Sequence, residues 1–161
     1  MKLFTMVVLM ATLSAAGAAP VPAGAKDADP LPTGSAWAGK LTQRGGGPTG
    51  FECEFKITKR DGEKFEAELR EKSDDIELTY LVRGTLVPVD PKNKEKGYKI
   101  EFKSHEAKDV KNTSEILGVP YTGKVDGKKI TGTWKLPDDS EFGNLEGDFE
   151  FEPAKKEKEK E

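Results

Sequence analysis

One cysteine and one histidine are all that this chain of 161 residues offers of two side chains much used in disulfides, metal sites and catalysis. Cys53 has no partner for an internal disulfide, so the fold must hold by packing. A single histidine, His105, excludes a multi-histidine metal site. No glycine-rich phosphate loop is present either. Residues 45–47 are three glycines, without the lysine and hydroxyl residue of a P-loop. A serine-nucleophile signature is also missing. Positive charge is not in excess: 26 basic residues stand against 29 acidic ones. That balance argues against nucleic acid as the main partner, because phosphate binding needs clustered positive charge. Beyond the first residues, no apolar run is long enough for a membrane-spanning helix.

That first stretch reads as a secretory signal peptide over residues 1–18. Lys2 supplies the positive start, residues 3–13 are an apolar run too short to span a bilayer, and Ala16-Gly17-Ala18 is a small-residue cleavage site. Ala23-Gly24-Ala25 is an alternative site. Cleavage after Ala18 removes Lys2, leaving 25 basic residues against 29 acidic ones, a net charge of −4. The expected location is secreted or periplasmic. Residues 19–33, rich in Ala, Pro, Gly and Asp, read as a flexible leader. Residues 153–161, a balanced Lys/Glu run, read as a disordered, solvated tail. A single domain over residues 34–152 remains.

Within that domain, apolar and polar residues alternate with period two, the pattern of half-buried strands. Phe51, Cys53, Phe55 and Ile57 alternate with Glu52, Glu54, Lys56 and Thr58. Trp37, Gly39 and Leu41 precede them on one face. Phe65, Ala67 and Leu69 follow. Residues 64–72 also have helix-forming composition, with Phe65–Leu69 and Glu66–Arg70 at i,i+4, but closely flanking turn signals favour a strand. Ile76, Leu78, Tyr80 and Val82 come next, with a bend at Gly84 and an end by Pro88. Tyr98, Ile100 and Phe102 form another strand. Residues 104–120 read as a long connection with a helical turn near 114–117. Leu145, Gly147, Phe149 and Phe151 form the last strand.

Two turns fix the expected register. Asp126-Gly127 signals a two-residue type I′ hairpin. It places Val125 opposite Lys128, Gly123 opposite Ile130 and Tyr121 opposite Gly132, so that large residues cover glycines. At Arg60-Asp61-Gly62, a three-residue loop with Gly62 as a bulge puts Phe65 opposite Ile57. The fold class that follows is all-β: an antiparallel up-and-down meander of about eight strands, closing into a small soluble barrel. Closure removes both sheet edges. Gly39, Gly123, Gly132 and Gly147 lie on the apolar face of the first strand and the last three, which closure would make neighbours. A membrane barrel would need the reverse pattern, an apolar outer band around a polar interior.

Eight meandering strands after a signal peptide, opening on Gly34-Ser35-Ala36-Trp37-Ala38-Gly39, resemble the lipocalin and avidin type of small barrel. The resemblance is one of architecture and covers roughly residues 35–152. Two residues separate Gly34 from Trp37 where lipocalins usually open with Gly-X-Trp. No binding residue is carried over from either family.

Candidate chemistry is sparse. His105 beside Glu106 and near Asp109 has the makings of an oriented general base, though a solvated loop histidine accounts for it as well. Asp138-Asp139-Ser140-Glu141 has carboxylates but not EF-hand spacing, and reads as a polar turn. Neither metal nor cofactor is expected, nor is enzyme activity. Cys53 falls on the apolar side of its strand, where a buried free thiol is common. The suggestive feature is the interior, where Trp37, Tyr80, Tyr98, Tyr121 and Trp134 could line a site for an apolar or amphipathic small molecule. The alternative is a structural or protein-interaction module with a filled core, acting through its charged surface and the 104–120 loop. Interior volume separates the two readings.

Overall fold

The computed structural model describes residues 29–45 and 50–155. The expected signal peptide and most of the charged tail lie outside the described residues. Eight strands follow in order: β1 (Ala36–Gln43), β2 (Phe51–Asp61), β3 (Lys64–Ser73), β4 (Ile76–Pro88), β5 (Tyr98–Lys111), β6 (Pro120–Val125), β7 (Ile130–Lys135) and β8 (Glu146–Pro153). Each pairs antiparallel with the next, and β1 pairs with β8 through residues such as Gly39 opposite Phe151. The sheet is therefore a closed barrel, and residues 64–72 are strand.

The alternation that forms the strands also sorts the chemistry. Phe55, Ile57, Leu69, Val82, Ile100, Ile130 and Phe151 point inward and are wholly buried. Outward residues face opposite charges across the ladder, with Glu54 beside Arg70 and Lys56 beside Glu68. Exposed pairs such as Lys129–Glu150 at 2.7 Å and Lys135–Asp138 at 2.7 Å decorate the surface, where solvent screens them and they add little to stability. Apolar side chains in and charged ones out is the reverse of a lipid-facing barrel. Among the described residues, no helix is long and apolar enough to cross a membrane.

Closure depends on close backbone approach at glycine. A Cβ on Gly39 would overlap the carbonyl oxygen of Glu150, and one on Gly147 would overlap that of Thr42. Both contacts lie in the β1–β8 seam. At the end of the barrel where β1 begins, the chain before β1 packs against the barrel. Leu31 is wholly buried there, Gly34 N–H donates to the Ile57 carbonyl, and Arg60 holds Asp29. The stretch read as a leader thus ends in an anchored segment, while residues 19–28 lie outside the described residues.

Three sequence expectations need correction. The β6–β7 hairpin pairs Val125 with Ile130, Gly123 with Gly132 and Tyr121 with Trp134. Its register is two residues away from the expected one. Gly127 takes a positive φ of 87°, but Asp126 does not, so the type I′ geometry is not used. Asp126 instead accepts from the N–H groups of Lys128 and Lys129 through its carboxylate. The β2–β3 turn pairs Asp61 with Lys64, and Phe65 lies opposite Arg60, not Ile57. The extra residue sits inside β2, between Ile57 and Lys59. Finally, β5 runs to Lys111, and residues 112–119 contain no helical turn. Bulges against β4 near Tyr80 and Val82 carry β5 through the stretch expected to be loop.

Cys53 is buried at 5% exposure, and burial pushes its thiol pKa up, with Glu71 adding to the effect. Replacing Cys53 by serine is expected to destabilise the fold by about 1–3 kcal/mol, since it puts a hydroxyl where a soft apolar group sat. A denaturant midpoint measures this, and fast labelling of the native thiol by a bulky reagent would contradict the burial. Gly147→Ala is expected to cost more than about 1 kcal/mol, because the seam has to shift. An unchanged midpoint would show that the β1–β8 seam can yield.

Candidate functional site

The interior is filled in one half and hollow at one end. Phe55 stacks on Phe102 at 5.1 Å and on Phe151 at 5.7 Å. Phe102 stacks in turn on Tyr121 at 4.5 Å and 5°. Beyond Tyr121, towards the end where β1 finishes, the packing stops. A cavity of about 280 Å³ opens there, walled by Phe51, Leu78, Tyr80, Tyr121, Trp134 and Leu136 among others. The connections between β5 and β6 and between β7 and β8 contribute Ile116, Val119, Phe142 and Leu145 to its rim.

Three of the five interior aromatics expected at a site meet in this cavity: Tyr80, Tyr121 and Trp134. Trp37 and Tyr98 lie at the other end. Trp37 is wholly buried opposite Phe55, its Nε1 without a hydrogen-bond partner, and Tyr98 is half-buried beside Val125 and Pro88. His105 lies within β5, half-buried, and does not line the cavity. Among the described residues, no cluster of three His, Cys, Asp or Glu is placed to hold a metal ion.

The cavity also holds a residue that sequence reasoning missed. Glu71 lines it, only 6% exposed. Period two already places it inward, one step beyond Phe65, Ala67 and Leu69, but an acidic residue does not look like a core position. Tyr121 Oη donates to Glu71 Oε1 at 3.0 Å. Burial pushes the carboxyl pKa up to about 7 from an ordinary 4.5, and the tyrosine hydrogen bond partly opposes this. Among the described residues, neither lysine nor arginine forms an ion pair with it.

Several other polar groups at the cavity are hydrogen-bonded. Trp134 Nε1 donates to the Thr42 carbonyl at 3.1 Å, which lays the indole against Gly147. Tyr80 Oη accepts from Ile116 N–H at 3.2 Å, so its own hydroxyl hydrogen can still be donated. Burial raises the pKa of Tyr80 and, more strongly, of Tyr121. Ser104 Oγ accepts from Val119 N–H at 3.2 Å and fastens the rim to β5. The arrangement is a mostly apolar cup with aromatic walls and one carboxyl group, and the hydroxyls of Tyr80, Thr113 and Ser114 also line it. A larger hollow of about 910 Å³ lies outside the barrel over β1, β6, β7 and β8. It is an open saddle with threonines and charged side chains such as Glu150 along its walls, and it encloses nothing.

No family model, curated protein or solved structure matches this chain.

The raised pKa of Glu71 makes a pH prediction. A carboxyl whose folded pKa exceeds its unfolded one favours the fold when protonated. Its stabilisation is complete below about 4.5 and is lost as pH rises through about 7. Glu71→Gln should remove this dependence. Over that range the wild type should lose on the order of 3 kcal/mol relative to the variant. Urea midpoints of both proteins across pH check it, and parallel curves would contradict the buried, unpaired carboxyl.

Proposed function

We propose that this protein is an exported, non-enzymatic barrel that binds a small apolar or amphipathic molecule in the cup between Tyr80, Tyr121 and Trp134. One observation carries the reading. The same barrel that packs phenylalanines tightly in one half leaves about 280 Å³ open at one end. Packed interiors leave voids scarcely larger than a water molecule, whereas ligand pockets begin at roughly 300 Å³. The cup also has the usual make-up of a binding site, apolar walls with a few placed polar groups. The lipocalin and avidin type of barrel, which this chain resembles in architecture, supports the same reading. Export rests on the amino-terminal sequence pattern.

The two tryptophans offer an internal control. 2-Phenylethanol, an uncharged aromatic of suitable size, is expected to bind saturably and to shift the indole N–H resonance of Trp134. Trp37, in the filled half, should stay in place. Trp134→Ala should weaken binding by about tenfold, the worth of one good aromatic contact. It should destabilise the fold by about 1–2 kcal/mol, less than the ~3–5 kcal/mol of a fully buried aromatic truncation. A loss in that larger range, with no saturable binding to the wild type, would leave the filled interaction module as the better reading.

A further inference from the structure

We infer that the ligand of the cup is a cation, a small aromatic or aliphatic amine, and that the Glu71 carboxylate is its counter-ion. This rests on the reading of the cup as a binding site and names the chemistry of its occupant. Two independent observations point to positive charge.

The first is inside. Glu71 lines the cavity, nearly all of its surface is hidden from solvent, and Tyr121 Oη is the partner that fixes it. An ionised carboxylate in an apolar site is costly unless a cation meets it. The protein supplies none among the described residues. A ligand ammonium would fill that role, and Tyr80 and Trp134 in the same wall are aromatic side chains of the kind that attract a cation.

The second is at the mouth. The four connections at the open end follow β1, β3, β5 and β7. They contain six acidic residues, Asp74, Asp75, Glu115, Asp138, Asp139 and Glu141, and a single basic one, Arg44. Arg44 is engaged by Asp148 and Glu146 from β8, and Lys135 at the end of β7 pairs with Asp138. The connections at the closed end lean the other way. There Lys92, Lys94, Lys96, Lys128 and Lys129 outnumber Glu63, Asp90, Glu95 and Asp126. A one-sided acidic rim draws cations towards the cup.

The test compares 2-phenylethylamine with 2-phenylethanol and phenylacetate by calorimetry at pH 8 on the whole protein. The amine should bind wild type at least about tenfold more tightly than the alcohol, the scale of a charge-assisted hydrogen bond, and phenylacetate should bind worst. In Glu71→Gln the amine should lose that advantage while the alcohol keeps its affinity. The wild type alone gives a second readout that does not depend on the variant folding. Its preference for the amine should fade as pH falls below about 7, where Glu71 takes up a proton. Tyr80, Tyr121 and Cys53 also lie around this carboxyl, and burial keeps all three protonated across that range. Equal binding of amine and alcohol by the wild type, or an amine preference that survives Glu71→Gln, overturns the assignment and leaves the apolar cup intact. Failure of every probe to bind overturns both.

Discussion

Closing β1 onto β8 is the constraint on which the rest of this structure depends. An eight-stranded meander with open edges would present unpaired backbone groups at both ends of the sheet. Closing it requires tight curvature, and the glycines with close backbone approach gather mostly on one side, with Gly84 of β4 across from them. The strands β1, β6, β7 and β8 have 8, 6, 6 and 8 residues and carry Gly39, Gly123, Gly132 and Gly147. The opposite wall, β2 to β5, is longer, with 10 to 14 residues per strand. Missing Cβ atoms let the short wall bend inward until backbones nearly touch, as at Gly39 and Gly147. Space lost on the glycine side is taken up by large residues, with Phe149 reaching Gly132 and Trp134 reaching Gly147. The glycines and the aromatics are therefore one device.

That device explains why the barrel is solid in one half and hollow at one end. Where Phe55, Phe102, Phe149 and Phe151 meet, the rings interlock. Tyr121 is the last ring of the stack. Its flat contact with Phe102 fixes its position, and its hydroxyl points on to Glu71. Above it the wall side chains are held to the barrel by their own polar groups, Trp134 to Thr42 and Tyr80 to the Ile116 backbone. The cup is thus built on a rigid floor, with Tyr121, Trp134 and Tyr80 each held by a hydrogen bond, a pre-organisation that would reduce the cost of the proposed binding.

The alternation of apolar residues made the fold class, the strand order and the closing pair legible in the sequence. What it could not give was register. A slip of two residues leaves every side chain on its own face, so Tyr121 opposite Gly132 and Tyr121 opposite Trp134 look alike to a pattern of period two. The end of β5 was hidden for a different reason. On β4, Leu78, Tyr80 and Val82 follow at intervals of two, but their partners Val110, Ala107 and Ser104 are three apart. Each bulge adds one residue to β5, and the inward face then repeats in a way that no longer reads as strand. The cup was half legible. Tyr80, Tyr121 and Trp134 were on the inward face by period, yet so were Trp37 and Tyr98, and only the three-dimensional ends of the barrel tell them apart.

Glu71 is the least expected of the cup's residues and the hardest to explain by stability. A leucine at that position would extend the inward series of Phe65, Ala67 and Leu69 without the desolvation that raises the carboxyl pKa. The position across the ladder is Cys53, a soft apolar neighbour that offers the charge nothing. Tyr121 offsets part of the cost, but a neutral phenol is a weak partner for an anion beside apolar walls. The carboxyl sits where the packed stack ends and the cavity begins. In the filled half it would be intolerable, and on the outer face it would be one more solvated charge. At this boundary it can exchange a proton, or a cation, with whatever enters. A carboxyl held at such a cost, where the packing ends and the cavity begins, is what the proposed cation would need to meet.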